Sequence, residues 1–243
     1  MKTQESRDLE EYEEQARQVL RGELARLLDL AARTFQTIAQ TMELSNLQES
    51  QTGSTARKVA SLLLGRLSSD IRSVFLLAES GYMMQAASIS ASALEVALTI
   101  PFIGTDEALA NKWAIHNSTK PWRTVRDLIR GAYDRYPQLR ESDKLYDDVY
   151  SPLARCKHAN PNAQRYYTLE SGATNGPSTT LEAICLAEHS LLAAIQSGSI
   201  ALASFADAFL APEQRDVIAK PLALIRLEYV ELAGLHNARG KES

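Results

Sequence analysis

Apolar or small residues recur at Leu9, Tyr12, Ala16, Val19, Leu24, Leu27, Ala31, Phe35, Ile38 and Met42, nine steps over 33 residues with a mean spacing of 3.67. That period is close to the 3.6 of a straight α-helix and above the 3.5 of a left-handed coiled coil. It predicts one long N-terminal helix laid on a globular core. At about 1.5 Å per residue such a helix spans roughly 50 Å. Gly22 is placed to bend it, and Gln51-Thr52-Gly53-Ser54 to end it. Tight turns are scarce elsewhere too: the 243 residues include 11 Gly and 8 Pro, below ordinary usage of about 7% and 5%. A sandwich or barrel of many short strands is thereby excluded. With 45% hydrophobic residues the chain can bury one sizeable core but is short for two full domains.

The same reasoning predicts further helices. Val59, Leu62, Leu63, Leu67, Ile71, Val74 and Phe75 share one face of a helix over 56–79 that stops at Ser80-Gly81. A helix over 82–103 carries Ala86, Ala87, Ser88, Ser90, Ala91, Ser92 and Ala93, small enough to admit close neighbours, which places it at the centre; Pro101 and Gly104 end it. Thr105-Asp106-Glu107 opens a short helix to about His116 by N-capping. Pro121 suits the first turn of the next, closed by Pro137, and another spans 142–158 with a bend at Pro152. Residues 159–177, rich in Asn, Gly, Ser and Thr, read as a long loop. Thr179 and Glu182 form a capping box for a helix reaching Leu210. Pro212 starts a final helix, kinked at Pro221 and ending near Gly234. The expected architecture is all-α, one bundle of seven or eight helices over residues 1–235 with a polar tail at 236–243.

Net charge is −4, but it is unevenly spread. Residues 1–49 carry −4, 50–111 carry −1, 112–165 carry +5 and 166–243 carry −4. The basic segment also holds Trp113, Trp122, Tyr133, Tyr136, Tyr146 and Tyr150, the mixture of cations and rings that nucleic acid exploits. Within it Arg123, Arg126 and Arg130 fall at i, i+3 and i+7 beside Trp122, a stripe able to follow a phosphate backbone. Asp127 and Asp134 sit four residues beyond Arg123 and Arg130, so a solvated, ion-paired face is the competing reading. The N-terminus lacks an apolar leader segment and two cysteines make no disulfide framework, which points to the cytoplasm. The charge-free stretch 189–206 contains Gln196, Gly198 and four serines, too polar for a membrane span and suited to a buried helix.

The densest chemistry is Tyr150-Ser151-Pro152-Leu153-Ala154-Arg155-Cys156-Lys157-His158-Ala159-Asn160-Pro161, where a helix end meets the long loop. A histidine can exchange a proton near neutral pH while neighbouring cations stabilise a phosphate, the minimum for RNA cleavage without metal. Cations at a helix C-terminus also offset its dipole, a purely structural use. Cys156, His158, Cys185 and His189 could supply four zinc ligands, with Cys185 and His189 on one helix face. The C-x-H and C-x3-H spacings are unlike common zinc motifs, and Cys185 reads as a small buried hydrophobe, so no metal is expected. No P-loop, dinucleotide fingerprint, G-x-S-x-G or H-E-x-x-H occurs, and no cofactor is expected.

Ser80-Gly81-Tyr82, the small-residue helix through Ala93-Leu94-Glu95, and then Leu153 to Pro161 together resemble the HEPN-like helical proteins over roughly residues 60–165. The likeness is to a branch related to toxin and abortive-infection proteins, with an arginine-to-glutamate helix followed by a tyrosine-leucine-histidine helix end. The resemblance implies a homodimer in a bacterial defence or toxin-related setting, with a protein partner or RNA. It also implies either assembly or metal-independent endoribonuclease activity, the latter with an arginine four to six residues before a histidine. Here Arg155 and His158 have only two residues between them, and Ser92 stands where that branch has arginine. Binding and assembly are therefore ranked first. Cleavage ranks second, with His158 moving the proton, Arg155 and Lys157 holding phosphate and Asn160 positioning it. The long apolar stripe of the first helix adds to the expectation of a dimer.

Overall fold

The computed structural model describes residues 4–46, 53–117, 121–137, 144–158 and 177–242. Among these there is no β-strand and there are nine α-helices, so the all-α class holds. The predicted first helix is two: α1 (Gln4–Glu23) and α2 (Ala25–Asn46). The ladder nevertheless runs through the break, with Leu24 N–H donating to Leu20 O at 2.8 Å and Leu28 N–H to Leu24 O at 2.9 Å. The break falls two residues after Gly22, where the backbone is least committed to helix. The stripe is covered within the chain only in part: Ala16, Leu24, Leu27, Ala31 and Ile38 are buried, whereas Tyr12 and Val19 on α1 are 42% and 49% exposed.

The helix α3 (Thr55–Glu79) starts where the Ser54 side chain accepts from Arg57 N–H. Of the predicted face Val59, Leu63, Leu67, Ile71 and Val74 are buried, Phe75 is half-buried and Leu62 points to solvent. Gly81 then takes a left-handed φ of +87° that disfavours any side chain. A Cβ there would also strike Pro177, whose neighbour Ser178 donates to Gly81 O at 3.1 Å. The turn and the entry to the penultimate helix are thus locked together.

Small residues let α4 (Met83–Ile103) occupy the centre: Ala86, Ala87, Ala91, Ala93 and Ala97 are fully enclosed. Pro101 lies inside its last turn, not beyond it, where its missing N–H forgoes one i→i−4 bond; Gly104 (φ +52°) ends the helix. Asp106 caps α5 (Glu107–Ala114), accepting from Leu109 N–H at 2.9 Å. Thr124 caps α6 (Val125–Arg135), so this helix starts four residues after Pro121. Pro152 sits at the start of α7 (Ser151–Lys157), directly after a π-helical turn at Leu145–Tyr150. The expected bend at Pro152 is therefore realised upstream as a change of hydrogen-bond register.

The penultimate helix, α8 (Leu181–Phe209), is capped by Thr180, one residue later than predicted. It forms the most extensive pairing in the molecule with α4. Ser90 Oγ of α4 lies 2.9 Å from the carbonyls of both Ala86 and Ser190, a polar tie inside an otherwise apolar seam. Both α4 and α8 are long and apolar enough to cross a membrane, yet 72% and 83% of their most apolar windows are buried inside the protein. Finally α9 (Pro212–Glu242) runs straight past Gly234, so 236–242 is helix rather than tail. Its extension is anchored by His236 and Arg239, which reach the buried Glu188 carboxylate of α8 at 2.9 and 2.6 Å. The buried apolar side chains form one continuous cluster from Ala16 to Leu232.

Candidate functional site

The basic, aromatic segment converges on the π-helical turn. A proline at Pro152 cannot donate a backbone hydrogen bond, and just before it Ser151 N–H reaches back five residues to Tyr146 O. The widened turn presents Tyr146 and Tyr150 side by side, ring centroids 5.5 Å apart. Isolated π turns of this kind recur at functional sites.

From these rings a chain of contacts joins the two candidate clusters. The Arg126 guanidinium of α6 sits 4.3 Å over the Tyr146 ring. Tyr150 donates its hydroxyl to Glu95 Oε1 of α4 at 2.7 Å, and Lys157 Nζ of α7 reaches the same oxygen at 2.8 Å. Burial, reinforced by the bond to the Glu95 carboxylate, pushes the Tyr150 phenol upward, so it stays a donor at neutral pH. Glu95, which in the sequence stands alone, is thus the hub that pins α7 to the central helix.

The arginine stripe lies on the exposed side of α6, as its spacing predicts, but its pairing differs. Arg130 bonds Asp127, three residues before it, at 2.6 Å, and Arg123 packs over the ring of adjacent Trp122 at 5.2 Å. Asp127 is held below the ordinary carboxylate range chiefly by the Thr124 hydroxyl. Trp122 is half-buried, edge-on to Phe102 with centroids 5.4 Å apart. Two grooves flank the stripe. One of about 360 Å³ lies between Arg126, Arg130, Tyr133 and Tyr146, and one of about 430 Å³ between Arg123, Arg130 and Phe102. Asp134 lines both, so each groove carries mixed charge.

At the end of α7, Arg155 and His158 are exposed and one helical turn apart, while Lys157 is engaged by Glu95. His158 closes the helix through its backbone, its N–H donating to Ala154 O at 3.0 Å. Asn160 lies outside the described residues. Cys156 is buried and Cys185 half-buried, where burial pushes its thiol up. His189 turns inward, its Nε2 3.3 Å from Val149 O and its ring 5.8 Å from that of His236. Among the described residues no three His, Cys, Asp or Glu side chains gather as metal ligands.

Two features escaped sequence reasoning. The Tyr146/Tyr150 pair was visible as an i, i+4 spacing six residues before a proline, but the π register that presents it was not. The Glu188, His236 and Arg239 cluster was signalled only by an acid within a nearly charge-free apolar helix; it borders a pocket of about 280 Å³ that also touches Arg26. Set against protein-family models, curated proteins and solved structures, the chain matches none.

Proposed function

We propose that this chain is a HEPN-like helical protein that works by binding and assembly. In this reading the helices form a single bundle that includes α9 to Glu242, the protein acts as a homodimer in the cytoplasm of a bacterial cell with a defence or toxin-related role, and its α6 to α7 face binds single-stranded RNA. The observation that supports RNA binding is the groove of about 360 Å³ lined by Arg126, Arg130, Tyr133 and Tyr146. It sets two exposed guanidinium groups beside two half-buried rings, the combination that tracks an unpaired backbone and its bases. The pair Arg130–Asp127 lies at the surface, where solvent screens it, and yields readily to a phosphate. Binding ranks ahead of cleavage because Lys157, one of the two phosphate-holding candidates, is committed to Glu95.

The second reading, a metal-independent endoribonuclease, is favoured by the exposure of Arg155 and His158 on adjacent turns of one helix end. The test of the first is fluorescence anisotropy with a labelled single-stranded RNA. Binding should weaken steeply with salt, drop with Arg126→Ala and drop again with Tyr146→Ala. Absence of binding at low salt overturns the proposal.

A further inference from the structure

Along α9 the core side is Ile218, Leu222, Ile225 and Leu232, all buried. Their spacing of four, three and seven residues fixes the opposite pole of the helix. That pole is not polar. It carries Ala223, Leu227, Val230 and Gly234, with Leu224 on one shoulder, and Leu227 is 72% exposed, Val230 66% and Leu224 52%. A Cβ placed at Gly234 would meet nothing within 4 Å, so no neighbour among the described residues explains a glycine in this helix. An exposed glycine there costs about 1 kcal/mol relative to alanine.

The charges bordering this seam identify what covers it. Lys220 lies toward its N-terminal end and Glu231 toward its C-terminal end, on the same flank and three helical turns apart. A second α9 laid antiparallel sets the Lys220 of each copy against the Glu231 of the other, while its centre brings Ala223 and Leu227 face to face. A parallel pair would instead bring opposite flanks together and leave Lys220 and Glu231 without each other. Arg26 meets Glu231 Oε1 at 3.0 Å from the α2 side, which leaves Oε2 for a second cation. From Asp216 to Gly234 the seam is about 27 Å long. Two such strips bury on the order of 1,000 Å², the lower end of specific interfaces.

We infer that α9 is a self-association face: two copies of this chain pair through antiparallel α9 helices, with Ala223, Leu227, Val230 and Gly234 at the seam and reciprocal Lys220–Glu231 ion pairs beside it. This gives the assembly reading above its surface, and it stands apart from the α6 to α7 site.

Sedimentation velocity on the full chain tests it, with circular dichroism confirming that each variant is folded. The unaltered chain should dimerise in the micromolar range. Leu227→Glu should raise the dissociation constant on the order of a hundredfold, as expected for a central anchor. Lys220→Glu and Glu231→Lys should each weaken self-association about tenfold, because symmetry makes both pairs repulsive at once. Mixing Lys220→Glu with Glu231→Lys should restore dimers, because only an antiparallel mixed pair then has two opposite-charge contacts. A dimer that survives Leu227→Glu, or a mixture that fails to recover, overturns this face while leaving assembly intact. A particle of 26.8 kDa at high micromolar concentration overturns the face and the homodimer together. Co-sedimentation of that monomer with lipid vesicles would assign the seam to a membrane surface instead.

Discussion

Lys157 Nζ and Glu95 Oε1 stand 2.8 Å apart although their residues are 62 positions apart in the chain. Tyr150 shares that oxygen, so one carboxylate holds both the start and the end of the segment that carries the candidate chemistry. The two bonds differ in worth. The ion pair is 30% exposed on both sides and contributes about 0–1 kcal/mol. Tyr150 is only 8% exposed, and a buried hydroxyl stripped of its acceptor costs about 1–3 kcal/mol.

Glu95→Ala should therefore lower the urea unfolding midpoint more than Lys157→Ala does. The gap should close in a Tyr150→Phe background, where no hydroxyl is left to strand. Equal losses in the two single variants would show that the tyrosine bond contributes nothing.

Packing between α2 and α8 makes a second prediction. A Cβ at Gly198 would overlap Thr34 Cγ2, and Thr34 is fully enclosed. Gly198→Ala normally gains helix propensity. Here it should instead destabilise by about 1–3 kcal/mol, the usual cost of overpacking. That corresponds to a fall of about 2–4 °C in Tm per kcal/mol for a chain of this size. Thr34→Ser removes the offending methyl while keeping the hydroxyl that donates to Leu30 O at 2.8 Å, so the double variant should recover most of the loss. A thermal melt in which Gly198→Ala is neutral sinks the argument.

Much of this fold is legible in the sequence because its helices are long and amphipathic. The ends at Ser54, Ser80-Gly81, Asp106 and Leu210 follow from capping chemistry that acts over three or four residues. What is not legible depends on contacts from elsewhere. Gly234 reads as a helix stop, yet α9 continues because Glu188, buried on α8, draws His236 and Arg239 onto it. Leu62 has the right period for the core but is 66% exposed, since no element among the described residues covers it. At the site, periodicity found the arginine stripe and the helix-end cluster separately. Their connection through Tyr146, Tyr150 and Glu95 is tertiary, and no local spacing encodes it.

His189 gives a pH dependence of definite sign. Burial, its largest influence, holds its pKa below the ordinary value of about 6.5, and the facing His236 pushes the same way. The Val149 carbonyl and Asp148 oppose this. Around His236 lie Glu188 and Arg239. Since the unfolded chain takes up this proton first as pH falls, the contribution of His189 is fully present above about pH 6.5 and declines as pH drops below it. Replacing His189 with Gln should flatten the slope of unfolding free energy between about pH 7 and 5. An unchanged or steeper slope would mean that other groups dominate this range.

The last prediction separates binding from cleavage at the end of α7. Cleavage of RNA without metal needs a group that moves the proton of the attacking hydroxyl and a cation that meets the charge building on phosphate. His158 and Arg155 are the exposed candidates, whereas Lys157 is drawn toward Glu95. If the site is a nuclease, His158→Ala should abolish cleavage, Arg155→Ala should reduce it by about a hundredfold or more, and a chelator should change nothing. Freeing Lys157 with Glu95→Gln should then raise the rate by releasing a second cation to the phosphate. If the surface only binds, the unaltered chain should leave a single-stranded RNA intact over hours at micromolar enzyme. His158→Ala should then alter affinity by no more than a few-fold, and Glu95→Gln should tighten binding without producing fragments. The binding outcome is expected, because a phosphate would have to compete with Glu95 for Lys157. Chelator-resistant fragments that vanish with His158→Ala in a folded protein would reverse the order of the two readings.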